Sequence, residues 1–224
     1  MNDKPFEIIV LGPPVSGKGT QAKLLSETFE IPHISTGTIL HGIKSDPDHP
    51  RNKEVADYMD SGKLVPSELV NQLVTDRIKE DDCNLGFLLD GYPRTMEQAQ
   101  VIDQAADLDY VFLIQVSDET VVDRISGRRV CKNGHTWHIK YSPTKQEGVC
   151  DTCGQSLFQR DDDKEDVVQQ RLNVFHENME PIINYFKAKN KLLEIDGEQN
   201  IEKVFQQMVH HLVYDLRKKC LDND

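Results

Sequence analysis

Four short apolar runs punctuate an otherwise polar chain. They are "FEIIVLG" at residues 6–12, "CNLGFLLDGYP" at 83–93, "YVFLIQV" at 110–116 and "LLEID" at 192–196. Runs of this length, closed by Gly, Pro or Asp, predict strands buried on both faces. Between them the period lengthens. From Lys18, "KGTQAKLLSETF" places Ala22, Leu25 and Phe29 on one helical face, and "DETVVDRISGRR" and the run from Glu165 to about Lys189 also read as helices. Strands alternating with helices predict an α/β fold with a parallel sheet. Two stretches break the rhythm. One is the polar "KSDPDHPRNK" at 44–53; the other is 131–160, rich in Gly, Cys and turn residues. Both read as inserts on the α/β body.

Composition narrows this picture in three ways. A length of 224 residues suits one sizeable core with small inserts. A net charge of -12, from 26 basic and 38 acidic residues, argues against non-specific binding to nucleic acid. Any anionic ligand must then be held by a local cluster of cations. The N-terminus turns polar too soon for a signal peptide, and no apolar run approaches the ~20 residues of a membrane span. Five clustered cysteines do not form a spread disulfide framework, so a reducing cytoplasm is the expected compartment. Cys83 reads as a buried structural residue, and Cys220 has no evident role in its polar tail.

"GPPVSGKGT" follows the first strand and opens the first helix. Gly12, Gly17 and Lys18 fit a phosphate loop in the required context. Backbone N–H groups and the helix N-terminus would cradle a phosphate, and Lys18 would reach the terminal phosphates. The residue after the lysine is Gly19, where Ser or Thr is usual, and Thr20 follows it. A second constellation lies in the later insert. Cys131, His135, Cys150 and Cys153 give C-x3-H-x14-C-x2-C, four ligands of the types that close a structural zinc site. His138 is a rival for the histidine, and a metal-free insert with residual cysteines is the alternative.

With the phosphate loop in place, five further stretches fall into order: "STGTIL" at 35–40, "GKLVP" at 62–66, "FLLDGYPRTMEQA" at 87–99, "DRISGRR" at 123–129 and "QRDDDKEDVVQQRL" at 159–172. In sequence and spacing they resemble the adenylate kinases, in the long-lid form of the P-loop nucleoside monophosphate kinases. The resemblance covers nearly the whole chain. It implies a three-layer P-loop core from 1–35, 66–126 and 161–224, a helical monophosphate-binding insert at 36–65 and a lid at 127–160. It implies reversible phosphoryl transfer from Mg-ATP to AMP, giving two ADP, by a cytoplasmic monomer with no nucleic-acid or membrane partner.

The same resemblance assigns residues. Lys18, Arg94, Arg128, Arg160 and Arg171 would clamp phosphates during transfer, a task suited to guanidinium geometry. Arg124 and Arg128, four apart on an expected helix, would share a face. The ATP side would comprise Val15, Ser16, Gly17, Lys18, Gly19, Thr20, Arg124, Arg128, Thr136, Trp137 and Gln199. The AMP side would comprise Thr36, His41, Lys63, Leu64, Val65, Gly91, Tyr92, Pro93, Arg94, Gln98, Arg160 and Arg171, with Gln98 pairing bidentately with the adenine edge. Asp90 would order Mg2+ through water. Asp162 and Asp163 match a pair that engages lid arginines. Zinc in the lid is common in long forms, usually through four cysteines, and the rival His138 aligns with a histidine found even in metal-free lids. Trp137, the single tryptophan, would lie near the ATP base or pack within the lid, and its fluorescence would report closure.

Three positions depart from the family pattern. Thr38 stands in place of an aspartate and His41 in place of the arginine that holds the AMP phosphate, which predicts weaker AMP binding. Lys44 or Arg51 could compensate. Val15 stands where glycine is usual and would crowd the loop if that position needs an unusual backbone angle. These departures keep two alternatives open: a related kinase with another donor or acceptor, such as GTP, UMP or CMP, and a nucleotide-binding sensor with little catalysis.

Overall fold

Five parallel strands form the spine of the molecule. The computed structural model describes residues 6–163 and 165–221, with side chains for all of these except 162, 165, 166 and 214–221. The strands are β1 (Glu7–Leu11), β2 (His33–Ser35), β3 (Phe87–Asp90), β4 (Tyr110–Gln115) and a last one, Leu192–Asp196. Their order across the sheet is β2, β3, β1, β4 and then the last. Register is set by pairs such as Ile9 with Leu89 and Val111, and Ile34 with Leu89.

Alternation along each strand divides the core into two layers. Ile9, Leu11, Leu89, Val111 and Leu113 face one side, where they meet Val70, Val74, Ile102, Ile182 and Phe186. Ile8, Val10, Leu88, Phe112 and Ile114 face the other, where they meet Ala22, Leu25, Val204, Met208 and Leu212. The helices that supply these side chains are α1 (Lys18–Phe29), α4 (Ser67–Arg77), α5 (Met96–Ala105), α7 (Glu165–Ala188) and α8 (Ile201–Leu221). The expected face of α1 is present: Ala22 and Leu25 are buried and Phe29 half-buried. The expected apolar runs at 83–93 and 110–116 shorten to β3 and β4. Gly86 and Gly91, both at positive φ, bound β3.

Two excursions leave this body on the C-terminal side of the strands. The first carries α2 (Thr36–Ser45) and α3 (Asn52–Asp60), which pack on each other. The second leaves α6 (Asp118–Gly127) and returns through a 3-10 turn, Asp161–Asp163, into α7. It contains a small antiparallel hairpin, β5 (Arg128–Val130) with β6 (Thr136–His138), extended by a bridge from Val130 to Phe158. With that hairpin counted, the last strand of the main sheet is β7. Arg128 therefore begins a strand and does not share a helical face with Arg124. The helix stops at Gly127, where a Cβ would lie 2.3 Å from His138 Cε1.

Helix starts differ in a way that matters below. α2, α5 and α6 begin under Ser35, Thr95 and Ser117, whose hydroxyls accept from Thr38, Gln98 and Thr120 N–H. α1 begins at Gly17, in a left-handed conformation and without a side-chain cap, so its first N–H groups stay open towards the loop before it.

Leu89 sits at the centre of the sheet with no exposure. Leu89→Ala is expected to cost about 2–5 kcal/mol of folding stability. A urea titration checks this: the midpoint falls with an unchanged slope, whereas an unchanged midpoint would remove Leu89 from the core.

Candidate active site

The loops after β1 and β3 face each other across the C-terminal ends of adjacent strands, the place where open α/β sheets bind ligands. The loop from Gly12 to Gly17 closes tightly over β4: a Cβ on Gly12 would lie 2.5 Å from the Ile114 carbonyl oxygen. Ser16 is buried at 3% exposure, and its hydroxyl has no hydrogen-bond partner among the described residues. Lys18 folds back over the loop and donates to the Pro13 carbonyl at 2.6 Å. Gly19 abuts the Asp90 carboxylate, which a Cβ there would approach at 3.3 Å. A side chain at position 19 would need that carboxylate to give way slightly. Val15 has φ +50, a conformation rare for a β-branched residue.

Cations converge on this loop. Desolvation pulls the Lys18 ammonium down to about 7; Asp90 opposes the shift, and Arg94, Arg171 and Arg128 reinforce it. Burial works to raise the Asp90 carboxyl, yet the hydrogen bond from His33 and the charges of Lys18, His33 and Arg94 outweigh it and hold the group below the usual range. His33 Nε2 lies 3.4 Å from Asp90 Oδ2. Nothing in its local sequence marked His33, which the pairing of β2 with β3 brings alongside Asp90. Arg128 and Arg171 share one acid. Asp163, whose side chain is fully buried, accepts from Arg128 Nε at 2.8 Å and again from Nη2, and lies 3.7 Å from Arg171 Nη1. The side chain of Asp162, its expected companion, lies outside the described residues.

The loop after β3 builds the neighbouring wall. Gly91 has φ +76, and a Cβ there would meet Arg94 Nη2 at 2.9 Å and Thr36 Oγ1 at 3.2 Å. Arg94 Nε donates to the Gly91 carbonyl at 2.7 Å, and Thr36 Oγ1 donates to the same oxygen at 2.9 Å. Tyr92, fully buried before Pro93, donates to Asn71 Oδ1 at 2.8 Å. Gln98 is buried, and its Oε1 accepts the Arg94 backbone N–H at 2.7 Å. That bond fixes the orientation of the amide and leaves a second Oε1 lone pair beside the Nε2 donors, so Gln98 keeps both kinds of group that the expected bidentate pairing needs. Val65 is buried in the sheet core, Leu64 is half-buried and Lys63 exposed, with its N–H on the Tyr58 carbonyl.

The two excursions touch. Arg160 Nη1 lies 3.2 Å from His41 Nε2. A guanidinium has no acceptor, so His41 presents the bare ring nitrogen here. Lys44, the suggested substitute for the missing arginine, is paired with Asp60, and Arg51 with Glu54 at 3.1 Å. Arg124 lies apart from Arg128. It donates to the Ser16 carbonyl at 3.2 Å and to the Gly197 carbonyl at 2.8 Å, and so staples α6 to the phosphate loop and to the turn before Gln199. Gln199 itself bonds Asp196 at 3.0 Å, and Thr20 and Thr136 are exposed.

In the second excursion the donor atoms of Cys131, His135, Cys150 and Cys153 all lie within 4.8 Å of one another. His135 Nδ1 is 3.3 Å from Cys131 Sγ and 3.5 Å from Cys150 Sγ, and Cys131 and Cys153 sulfurs are 3.6 Å apart. A tetrahedral zinc site with ordinary bond lengths has edges of about 3.5–3.8 Å, so this donor set fits the ion. His138 is engaged elsewhere. Its Nδ1 accepts from Lys140 and Tyr141 N–H at 3.0 and 3.1 Å, so Nε2 carries the proton and donates to the Arg124 carbonyl at 2.9 Å. Trp137 Nε1 donates to Cys150 Sγ at 3.3 Å. The indole N–H thus meets the cysteine cluster.

No helix among the described residues is long and apolar enough to cross a membrane. Comparison with known proteins agrees with the geometry. The family model described as adenylate kinase matches residues 10–191. A protein of Lachnospira eligens named adenylate kinase is 47% identical over 211 residues, covering 91% of this chain and 98% of its own. The namesake of Caldicellulosiruptor bescii is 46% identical over 92% of this chain and 99% of its own. That of Methanococcoides burtonii is 45% identical over 89% and 95%. With that family model over most of its length and relatives this similar over about nine-tenths of it, the chain belongs to the adenylate kinase family.

Proposed function

We propose that this chain transfers the terminal phosphoryl group of Mg-ATP to AMP, reversibly, giving two ADP. The observation that carries the reading is the convergence of Lys18, Arg94, Arg128 and Arg171 on one space beside the phosphate loop. Such crowding is unfavourable in an empty site and becomes favourable when polyanions fill it. Phosphoryl transfer needs little covalent help; it needs two anions in line, their charge neutralised and water excluded.

The residues divide the work by position. The open N–H groups of α1, the Ser16 hydroxyl and Lys18 hold the donor phosphates. Arg94 lies on the acceptor side, beside Thr36 and Gly91. Arg128 and Arg171 leave Asp163 for phosphate oxygens as the lid, residues 127–160, closes over the core; residues 36–65 act as the acceptor-binding domain. Mg2+ arriving with ATP supplies charge neutralisation between the phosphates, and Asp90 would hold its water. The Gln98 amide, oriented by the Arg94 N–H, offers an Nε2 donor and the remaining Oε1 lone pair, which suit N1 and the amino group of adenine and oppose the reversed pattern of guanine and uracil. Cys131, His135, Cys150 and Cys153 would hold a structural zinc that gives the small lid its rigidity. The protein would work as a cytoplasmic monomer; the reduced cysteine cluster suits that compartment.

His41 favours a second reading, a kinase with an altered acceptor. One experiment separates the two: ADP formation from Mg-ATP with AMP, GMP, UMP and CMP in parallel. AMP is expected to lead, with GMP and UMP poorest. His41→Arg is expected to lower KM for AMP about tenfold, the difference between a neutral and a charge-assisted hydrogen bond. Another monophosphate outrunning AMP would sink the first reading; no turnover at all would favour a sensor.

Proton linkage gives a second test. Lys18 titrates at about 7 in this arrangement, and a bound polyphosphate restores its charge. Binding of Mg-ATP should therefore take up close to one proton per chain at pH 8 and close to none at pH 6. Calorimetry in two buffers of different ionisation enthalpy measures this. Uptake that does not rise with pH would exclude Lys18 as the titrating group.

The metal reading predicts one zinc per chain by elemental analysis of the purified protein. His135→Ala should lose the metal and His138→Ala keep it; the reverse pattern would make His138 the ligand.

A further inference from the structure

We propose that Val15 is a positioning residue that couples occupancy of the phosphate loop to closure of the lid. Four observations join in one place. The Val15 backbone stands at φ +50, where a β-branched side chain is strained and glycine would not be. Its isopropyl group does not point idly into solvent. It packs against a small cluster of Val121 and Ile125 from α6 and Val168 and Leu172 from α7, with Val116 beside it. Those two helices are the stems of the lid, one leading out and one leading back. The next residue repeats the link in polar form, since the Ser16 carbonyl accepts Arg124 Nη1 from α6.

The connection continues outward. The carbonyl of the same Arg124 accepts His138 Nε2, and the Gly127 carbonyl accepts the Ile139 N–H at 3.0 Å. The path from loop to lid is thus Val15 and Ser16, then α6, then the ring of His138 seated on Gly127. A phosphate that draws the loop N–H groups towards itself shifts Val15, and Val15 is the wedge between the stems. The strain at Val15 is offset by that packing. Glycine at this position would relax the loop and leave the wedge out; the loop would still bind phosphate through its backbone, with the stems free to lag behind. This rests on the reading of the loop as the donor site.

The test compares Val15→Gly and Val15→Ala with the wild-type chain. Three readouts are taken: melting temperature, KM for Mg-ATP and for AMP with kcat, and hydrogen exchange of residues 127–160 with and without Mg-ATP. For Val15→Gly the melting temperature is expected to hold or rise, as strain is released. KM for Mg-ATP is expected to rise at least fivefold while KM for AMP moves less than twofold. The protection that Mg-ATP confers on 127–160 should shrink. Val15→Ala keeps the strained backbone and loses the branches, so it should melt lower and show the same shift in KM for Mg-ATP. KM for Mg-ATP within twofold of wild type in both variants, with lid protection intact, would overturn the proposal. Equal loss on the ATP and AMP sides alongside a lower melting temperature would overturn it too, by making Val15 a packing residue only. Absence of turnover in the wild-type chain would instead refute the phosphotransferase reading, a separate outcome.

Discussion

Like charges held close together without their ligand are the constraint on which this architecture depends. Arg94, Arg128 and Arg171 all act on Lys18, and the protein answers with two buried acids, Asp90 and Asp163. Each acid stands where it can be displaced. Asp90 sits at the end of β3 against Gly19, and Asp163 sits in the turn through which the lid returns. Removing a single partner from a buried pair of this kind leaves an uncompensated charge and is costly, whereas exchanging the acid for a phosphate is not. The site is thereby stable when empty and still set for anions, in a chain whose overall charge repels them.

Much of this was legible in the sequence, for identifiable reasons. Strands such as "LLEID" and the helix from Lys18 to Phe29 declare themselves because burial on both faces and a 3.6-residue period leave strong patterns. The phosphate loop is local, so motif and structure coincide. What sequence could not give was anything decided by a few atoms across long separations. Arg124 and Arg128 were four apart and read as helical neighbours, yet the helix stops at Gly127, between them, and one side chain goes to the loop and the other to Asp163. Gln98 carried two hydrogen-bonding atoms on paper; a backbone N–H four residues away fixes which way they face. His33 had no motif at all and acquires its role from strand pairing.

Three histidines show how one residue type takes three fates. His135 has a ring nitrogen beside two cysteine sulfurs, His138 locks a turn with both of its nitrogens, and His41 offers a lone pair to Arg160. Only the neighbours differ. His135 and His138 are three apart, and the sequence favoured His135 with His138 as its rival; hydrogen-bond accounting agrees, since a ring engaged at both nitrogens has none left for a metal.

The bond between Arg128 and Asp163 has a further meaning in the statistics of chains. It joins the two ends of the second excursion, thirty-five positions apart in sequence, at the neck where the segment leaves and rejoins the body. Once the ends are pinned, the entropy of the loop between them varies only with the logarithm of its length, by about 0.6 kcal/mol for each doubling. The core is therefore nearly indifferent to how much polypeptide the neck encloses. A short loop and a longer one are thermodynamic near-equals as seen from the sheet, and the segment beyond the neck is free to vary in size while the body beneath it keeps its fold.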